Sequence, residues 1–315
     1  MNPLRRGFLM RGSVAALSFT GGCAAPDSSA FVQPRAVEVA AGVYVVRGAA
    51  GEFGPANLGR IGNAGFIVGG DGVVAVDTGT SYRHGLALLD EIARITRAPV
   101  RRVLVTHARQ EFVFGALAYR ERGIEIHMHA RAAALMRARC EGCLKTLRSV
   151  LGASEMQHTE MFTPDAVFDE SHRVEGIGRP VRVLYFGTSS GPGDIAVHDV
   201  VSGALFAGGL LDRGRIPDIA DSDLDGWRRA LAALRGVSAT MIGPGHGPAG
   251  RAEVIDEVER YLNALEARVT QLLEGGVGLS EIADRAALPE FAAWDQVATI
   301  HRRNASILYL RLESR

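Results

Sequence analysis

Apolar runs in this chain switch from one strand habit to another, and they do so twice. Strands that return as hairpins give way to strands that alternate with helices, and that cadence restricts the fold to two mixed sheets packed together with helices outside. In the first half, Val37 to Val46 and Ala64 to Val68 have strand composition, and GGDG at 69–72 forms a hairpin turn. Val73 to Val76 returns as a buried strand ending in Asp77-Thr78-Gly79. Leu86, Leu88, Leu89, Ile92 and Ile95 then carry helical spacing over Tyr82 to Ile95. A strand at Val103 to Val105, a short helix from Val113 to Arg120, a strand from Ile124 to His129 and a helix from Ala130 to Leu151 follow. The second half predicts strands at Val181 to Phe186, Asp194 to His198 and Ala204 to Ala207, a helix from Leu224 to Leu234, and a strand at Thr240 to Ile242 that runs into GPGHG. Residues 36–250 thus read as one α+β domain. Residues 251–315 read as a helical extension, with a long helix from Glu253 to Glu274, a break at Gly275-Gly276 and two further helical segments.

The balance of 35 basic against 35 acidic residues leaves no electrostatic footprint for nucleic acid. No internal apolar run reaches the roughly 18 residues of a membrane span. The first 30 residues have a different character: a basic start, an apolar stretch from Ser13 to Phe19 and a small-residue end, the three parts of an export signal. Arg5-Arg6-Gly7-Phe8-Leu9 resembles a twin-arginine signal, so the expected location is the periplasm. Cys23 stands where a lipidated cysteine would anchor the chain to the membrane, although Thr20 occupies the usual leucine position and ordinary cleavage is the alternative. The remaining cysteines, Cys140 and Cys143, are spaced C-E-G-C inside a helical pattern. In an oxidising compartment that pair is expected to form a disulfide, with redox work or metal binding as alternatives.

The stretch 104–116, LVTHARQEFVFGA, is built like a metal-binding loop at a strand end, yet it carries Arg109 and Phe112 where ligands would stand. Together VVAVDTG, VTH, the loop before DIAV, LFAG and IGPGHG resemble, in order and spacing, the metallo-β-lactamase superfamily over about residues 36–250. DSDLDGW, the RCEGCL helix and the tail with Trp294, His301, Asn304 and Tyr309 look most similar to exported metallohydrolase-like proteins associated with quinoprotein alcohol oxidation and sulfur oxidation. The resemblance implies an αβ/βα sandwich with a zinc site where both sheets end. Carried over by position, His107 matches the first histidine of the family pattern, Arg109 replaces the second, Glu111 stands for the aspartate, and Phe112 replaces the next histidine. Ser190 falls where the mid-chain histidine belongs, Gly209 replaces the bridging aspartate, and His246 matches the last histidine.

Three donors, His107, Glu111 and His246, therefore survive. A complete structural zinc site contributes roughly 10–16 kcal/mol. A guanidinium about 5 Å from a dication, at an effective dielectric near 20, opposes it by roughly 6–7 kcal/mol. The expected state is metal-free, without a cofactor, with Arg109 paired to Glu111 or Asp221. The preferred function is a non-catalytic exported protein whose old site, formed by His107, Arg109, Glu111, Ser190, Asp221 and His246, binds a small anion or a periplasmic protein partner. One alternative is a hydrolase with zinc or another divalent metal on His107, Glu111 and His246; another is a thiol redox helper through Cys140 and Cys143. His127 and His129 share a strand face and could supply substitute ligands, and Ser190 could act as a nucleophile beside a histidine. The bland readings are a loop-ordering role for Asp77 and packing roles for Trp227 and Trp294.

Overall fold

In a computed structural model, which describes residues 35–314, two sheets lie face to face. The first has seven strands in the order β1 (Ala36–Ala40), β2 (Val43–Val46), β3 (Ala64–Val68), β4 (Val73–Val76), β5 (Val100–Val105), β6 (Glu125–His129) and β7 (Ala166–Phe168). Pairing is antiparallel from β1 to β4 and parallel from β4 to β7. The second sheet has the order β12 (Met241–His246), β11 (Ala204–Asp212), β10 (Ile195–Asp199), β9 (Val181–Tyr185) and β8 (His172–Val174), antiparallel except for the parallel β11–β12 pair.

Every residue of β4 is apolar because both faces of this strand are covered. Val74 and Val76 point between the sheets, where they join Val43, Ile67, Leu104, Val183, Val197 and Phe206. Val73 and Ala75 point the other way, into a core closed by α1 (Tyr82–Ile95), α2 (Gln110–Val113), α3 (Ala116–Arg120) and α4 (Ala130–Glu155). Burying each such valine or leucine contributes about 1.5–3 kcal/mol. The two sheets approach so closely at Gly65 that a Cβ there would stand 2.2 Å from the Phe206 ring. On the far side, α5 (Leu224–Arg235), α6 (Glu253–Glu274) and α8 (Arg302–Glu313) cover the second sheet through Trp227, Leu231, Val258, Leu265 and Leu308. Beside them lie α7 (Leu279–Arg285) and a π-helical turn at Val297–His301. The C-terminal helices thus share one continuous core with β11, β12 and α5.

Several boundaries differ from the sequence expectation. The run from Val37 to Val46 is two strands folded at Gly42, whose φ of 73° puts it in the left-handed region. The single helix expected over Val113 to Arg120 is two short ones, parted at Phe114 and Gly115; a Cβ at residue 115 would meet the Thr78 carbonyl at 1.9 Å. β12 runs through GPGH to His246, because parallel pairing with β11 holds a segment of low strand propensity extended. The export signal and Cys23 lie outside the described residues, and among the described residues no helix is long and apolar enough to cross a membrane.

Candidate functional site

The C-terminal ends of β4, β5, β11 and β12 meet at one rim of the sandwich and deliver Asp77, His107, Asp212 and His246 there. Asp77 is in the left-handed region with φ 63°, a strained setting for a residue with a Cβ. Its carboxylate is fixed by Thr106, whose backbone N–H donates at 2.8 Å and whose hydroxyl donates to Oδ2 at 2.8 Å. Burial pushes the Asp77 carboxyl up to about 7 in spite of those donors.

The same Thr106 hydroxyl lies 2.8 Å from Nδ1 of His107. A hydroxyl has one proton, and Asp77 takes it, so Nδ1 of His107 is the protonated nitrogen and donates to Thr106. Nε2 then carries the lone pair, and it is buried without a hydrogen-bond partner. Burial, reinforced by the charge of Arg109, holds His107 well below the ordinary imidazole value, so the ring is neutral.

His246 is as deeply buried, and its pKa moves the other way. Nδ1 donates to Asp212 Oδ1 at 2.7 Å, across the β11–β12 register that places the two residues side by side. Nε2 stands 3.2 Å from Glu111 Oε1, near enough for ionic attraction though angled too poorly for a hydrogen bond. Burial works against the charge, but the carboxylates of Asp212 and Glu111 outweigh it and raise the imidazole above its ordinary value. Glu111 is drawn down to about 2: its burial is overcome by His246 and Arg109.

Between these settings sits Phe112, fully buried. Its ring centroid is 4.1 Å from that of His107 and 5.2 Å from that of His246, and a Cβ on Gly62 would come within 2.7 Å of it. Gly209 plays a complementary part. A Cβ there would fall 2.7 Å from Asp194 Oδ2 and 2.8 Å from the His107 ring, so those two groups fill the volume of a side chain at 209. Asp194 accepts from the Ser190 hydroxyl at 2.7 Å, and burial lifts its carboxyl to about 6 even so.

Arg109 does not pair with Glu111 or with Asp221, the two partners expected from sequence. It grips Asp218, through Oδ2 at 2.8 Å and the backbone carbonyl at 3.0 Å. Glu111 is occupied by His246, and Asp221 is taken by Arg139 of α4. Asp218 also receives Arg303 from α8, so one carboxylate serves two guanidiniums. Burial would lower the Arg109 pKa, but Asp218 and Glu111 raise it, and the group is permanently charged. The loop carrying Asp218 is pinned by α8, where Asn304 donates to the Pro217 carbonyl at 2.7 Å and accepts from the Ile219 N–H at 3.2 Å.

Arg109, Glu111, Arg139, Cys143, Asp218 and Arg303 open on a cavity of about 400 Å³. Ser190 lies outside its walls and donates its hydroxyl to Asp194 rather than to His107 or His246, so a serine-nucleophile arrangement is not assembled. His127 contacts Glu125 at 3.0 Å, and His129 caps α4 and contacts the Asp169 carbonyl at 3.2 Å; neither faces the cavity. Trp227 is buried and donates to the Leu210 carbonyl, while Trp294 packs on Tyr261 and Phe291. Cys140 and Cys143 are free thiols rather than the expected disulfide, one turn apart on the helix α4.

For a metal ion the surviving donors do not fit as they stand. Among the described residues, no three His, Cys, Asp or Glu side chains converge as a metal-binding group. His246 is engaged by the carboxylates of Asp212 and Glu111, and Phe112 packs on both imidazoles. Asp194, Asp212 and Asp218 escaped the sequence reading. Only Asp212 left a signal, as the acid closing the apolar run of β11.

A family profile described as the Metallo-beta-lactamase superfamily matches residues 58–246. A "Metallo-beta-lactamase type 2" from Bacteroides fragilis is 29% identical over 105 residues, 32% of this chain and 42% of the relative, so the chain spans less than half of that protein's length. The fold is similar to the solved structure titled "Metallo-beta-lactamase from Pontibacter korlensis", with TM-score 0.59, 20% identity and coverage of 73% of this chain and 99% of the other. A metallo-β-lactamase from Hirschia baltica gives TM-score 0.58 at 20% identity, covering 73% and 98%.

Proposed function

Because the chain belongs to the metallo-β-lactamase superfamily, we propose that it is an exported, non-catalytic relative whose degenerate metal site has become a pocket for a small anion. The observation that carries this reading is the pairing of a phenyl ring against both imidazoles with a guanidinium on the neighbouring wall. The chemistry that zinc supplies in this family, a polarised carbonyl and an activated water, needs several neutral donors around one point. Here His107 is neutral but its neighbour is an apolar ring, and His246 spends its charge on Asp212 and Glu111.

Anion affinity comes from Arg109 and Arg303. Arg109 and Arg303 share the single carboxylate of Asp218, so their guanidiniums keep N–H donors for a carboxylate or a sulfur oxyanion, in a cavity whose lining sets Arg109, Arg139, Arg215 and Arg303 against Glu52, Glu111, Asp218 and Asp221. The twin-arginine-type start supports an exported protein, and similarity in the DSDLDGW and RCEGCL segments supports a place beside quinoprotein or sulfur oxidation.

Thermal unfolding in sulfate and in a small dicarboxylate tests this function. Protection is expected for the native chain, growing as the logarithm of ligand concentration, and is expected to be lost in Arg109→Ala; equal protection in both proteins would overturn it. A second reading, a mononuclear metal on His107, Glu111 and His246, has one observation in its favour: the Nε2 atoms of both histidines are buried without hydrogen-bond partners. Near-stoichiometric zinc, iron or manganese in protein purified without chelator would establish that reading in place of the first.

A further inference from the structure

The two thiols of the C-E-G-C segment reach the same cavity as the guanidiniums. Cys140 and Cys143 both line it, together with Arg109, Arg139, Asp218 and Arg303. Cys140 is nearly inaccessible, at 2% exposure, whereas Cys143 is only half-buried and lies 3.8 Å from the Arg139 carbonyl. The pair is therefore asymmetric: both residues border the cavity, the outer Cys143 open to a ligand and the inner Cys140 almost wholly covered. A hydrogen bond from Cys140 draws the Cys143 thiol down to about 7, and the same hydrogen bond with burial pushes Cys140 up. Their spacing suits closure, since residues three apart on a helix have Cα atoms about 5 Å apart, inside the range a disulfide spans. Gly142 between them adds freedom to the turn, because its surroundings are open and glycine weakens a helix interior.

Resting on the reading of the cavity as an anion pocket, we propose that Cys143 and Cys140 make it a thiol-exchange site for small organic disulfides that carry carboxylates. The arginine wall orients the carboxylate, and the Cys143 thiolate attacks one sulfur of the bound disulfide. A mixed disulfide with Cys143 forms as the substrate's S–S bond breaks, and one substrate half leaves as a thiolate. Cys140 then gives its proton to solvent and attacks Cys143, expelling the second half as a thiolate. The protein dithiol is oxidised by two electrons to a Cys140–Cys143 disulfide, and the substrate disulfide is reduced to two thiols.

The test uses the full chain, reduced and freed of reductant, mixed at neutral pH with glutathione disulfide or with the cationic disulfide cystamine and followed by intact mass. The native chain is expected to react with the anionic disulfide faster by at least about tenfold and to finish as the internal disulfide without retained adduct. Cys140→Ala, which keeps the core apolar, is expected to stop at the mixed disulfide, and Cys143→Ser to be inert. Arg303→Ala is expected to erase most of the preference between the two disulfides. Equal rates with both, or a native chain that keeps its adduct, would overturn the proposal. Sulfate protection of the Cys140→Ala/Cys143→Ser double variant separates the two claims. If it persists while exchange shows no preference, the thiol proposal fails alone; if it is absent from native chain and variant alike, the anion reading fails and takes the proposal with it.

Discussion

His107 and His246 flank one phenyl ring at the same rim, both buried, and their pKa values are shifted in opposite directions. The contrast lies in what each ring nitrogen touches. His107 meets a hydroxyl and a nearby guanidinium, so burial wins and the ring stays neutral. His246 meets two carboxylates, so attraction wins over burial and the imidazole is raised above its ordinary value. Identical residue types at matching motif positions thus do different work. One keeps a buried lone pair on Nε2, and the other is drawn toward the charged form by its carboxylates.

The largest expected effect of disturbing that contrast is on the charged side. His246→Gln leaves Glu111 and Asp212 as buried carboxylates without their counter-charge, and should cost roughly 3–5 kcal/mol in urea unfolding at pH 7. The loss should shrink near pH 4, where the carboxylates can take protons; a loss independent of pH would deny that His246 is an imidazolium. On the neutral side the effect is smaller. Thr106→Val removes the hydroxyl that links Asp77 to His107, and should cost about 1–3 kcal/mol, with the His107 Nδ1 proton resonance moving or vanishing in the NMR spectrum. An unmoved resonance would mean that the Asp77–Thr106–His107 relay does not set the tautomer.

The mildest effect is in the pH profile of the native chain. Three groups, His246, Asp77 and Asp194, have raised folded values, the two carboxyls at about 7 and about 6. Their contribution is fully present below the unfolded values and is lost as pH rises through the folded ones. Glu111 and Asp218, both held at about 2, contribute above the unfolded carboxyl range and lose that contribution as pH falls toward 2. Taken alone these groups would put the maximum near about pH 4. His84 and His107, whose lowered folded values make a contribution that is present above the unfolded imidazole value and lost as pH falls, offset that decline and move the maximum up toward about pH 6. A maximum above pH 7.5 in denaturant titrations would contradict these assignments.

Sequence pattern reached the helices where periodicity was long, as in α6, because a buried face imposes its spacing on every turn, and the strands that are apolar throughout because both faces are covered, as in β4. It overlooked β7 and β8, three residues each, whose extended shape comes from pairing with β6 and β9. At the site, the motif loops gave His107, Glu111 and His246, since each sits at the end of a recognisable strand or turn. The partners stayed hidden, because Asp212 is 34 residues from His246 and Asp218 is 109 from Arg109, distances over which only the folded chain decides who meets whom. Arg109 was foreseen beside a carboxylate but was matched to the wrong one: Asp221, three residues beyond Asp218, is claimed by a helix that no motif linked to this loop.

Gly209 ties the two halves of the rim together through the space beside it. Because Asp194 and His107 already crowd the volume that a side chain there would need, Gly209→Asp cannot reinstate a family-type aspartate by itself. Asp194 must first retreat, and with it the Ser190 loop it anchors. Any side chain introduced at residue 209 is thereby coupled to the order of the Ser190 loop, although the two lie nineteen positions apart in the chain.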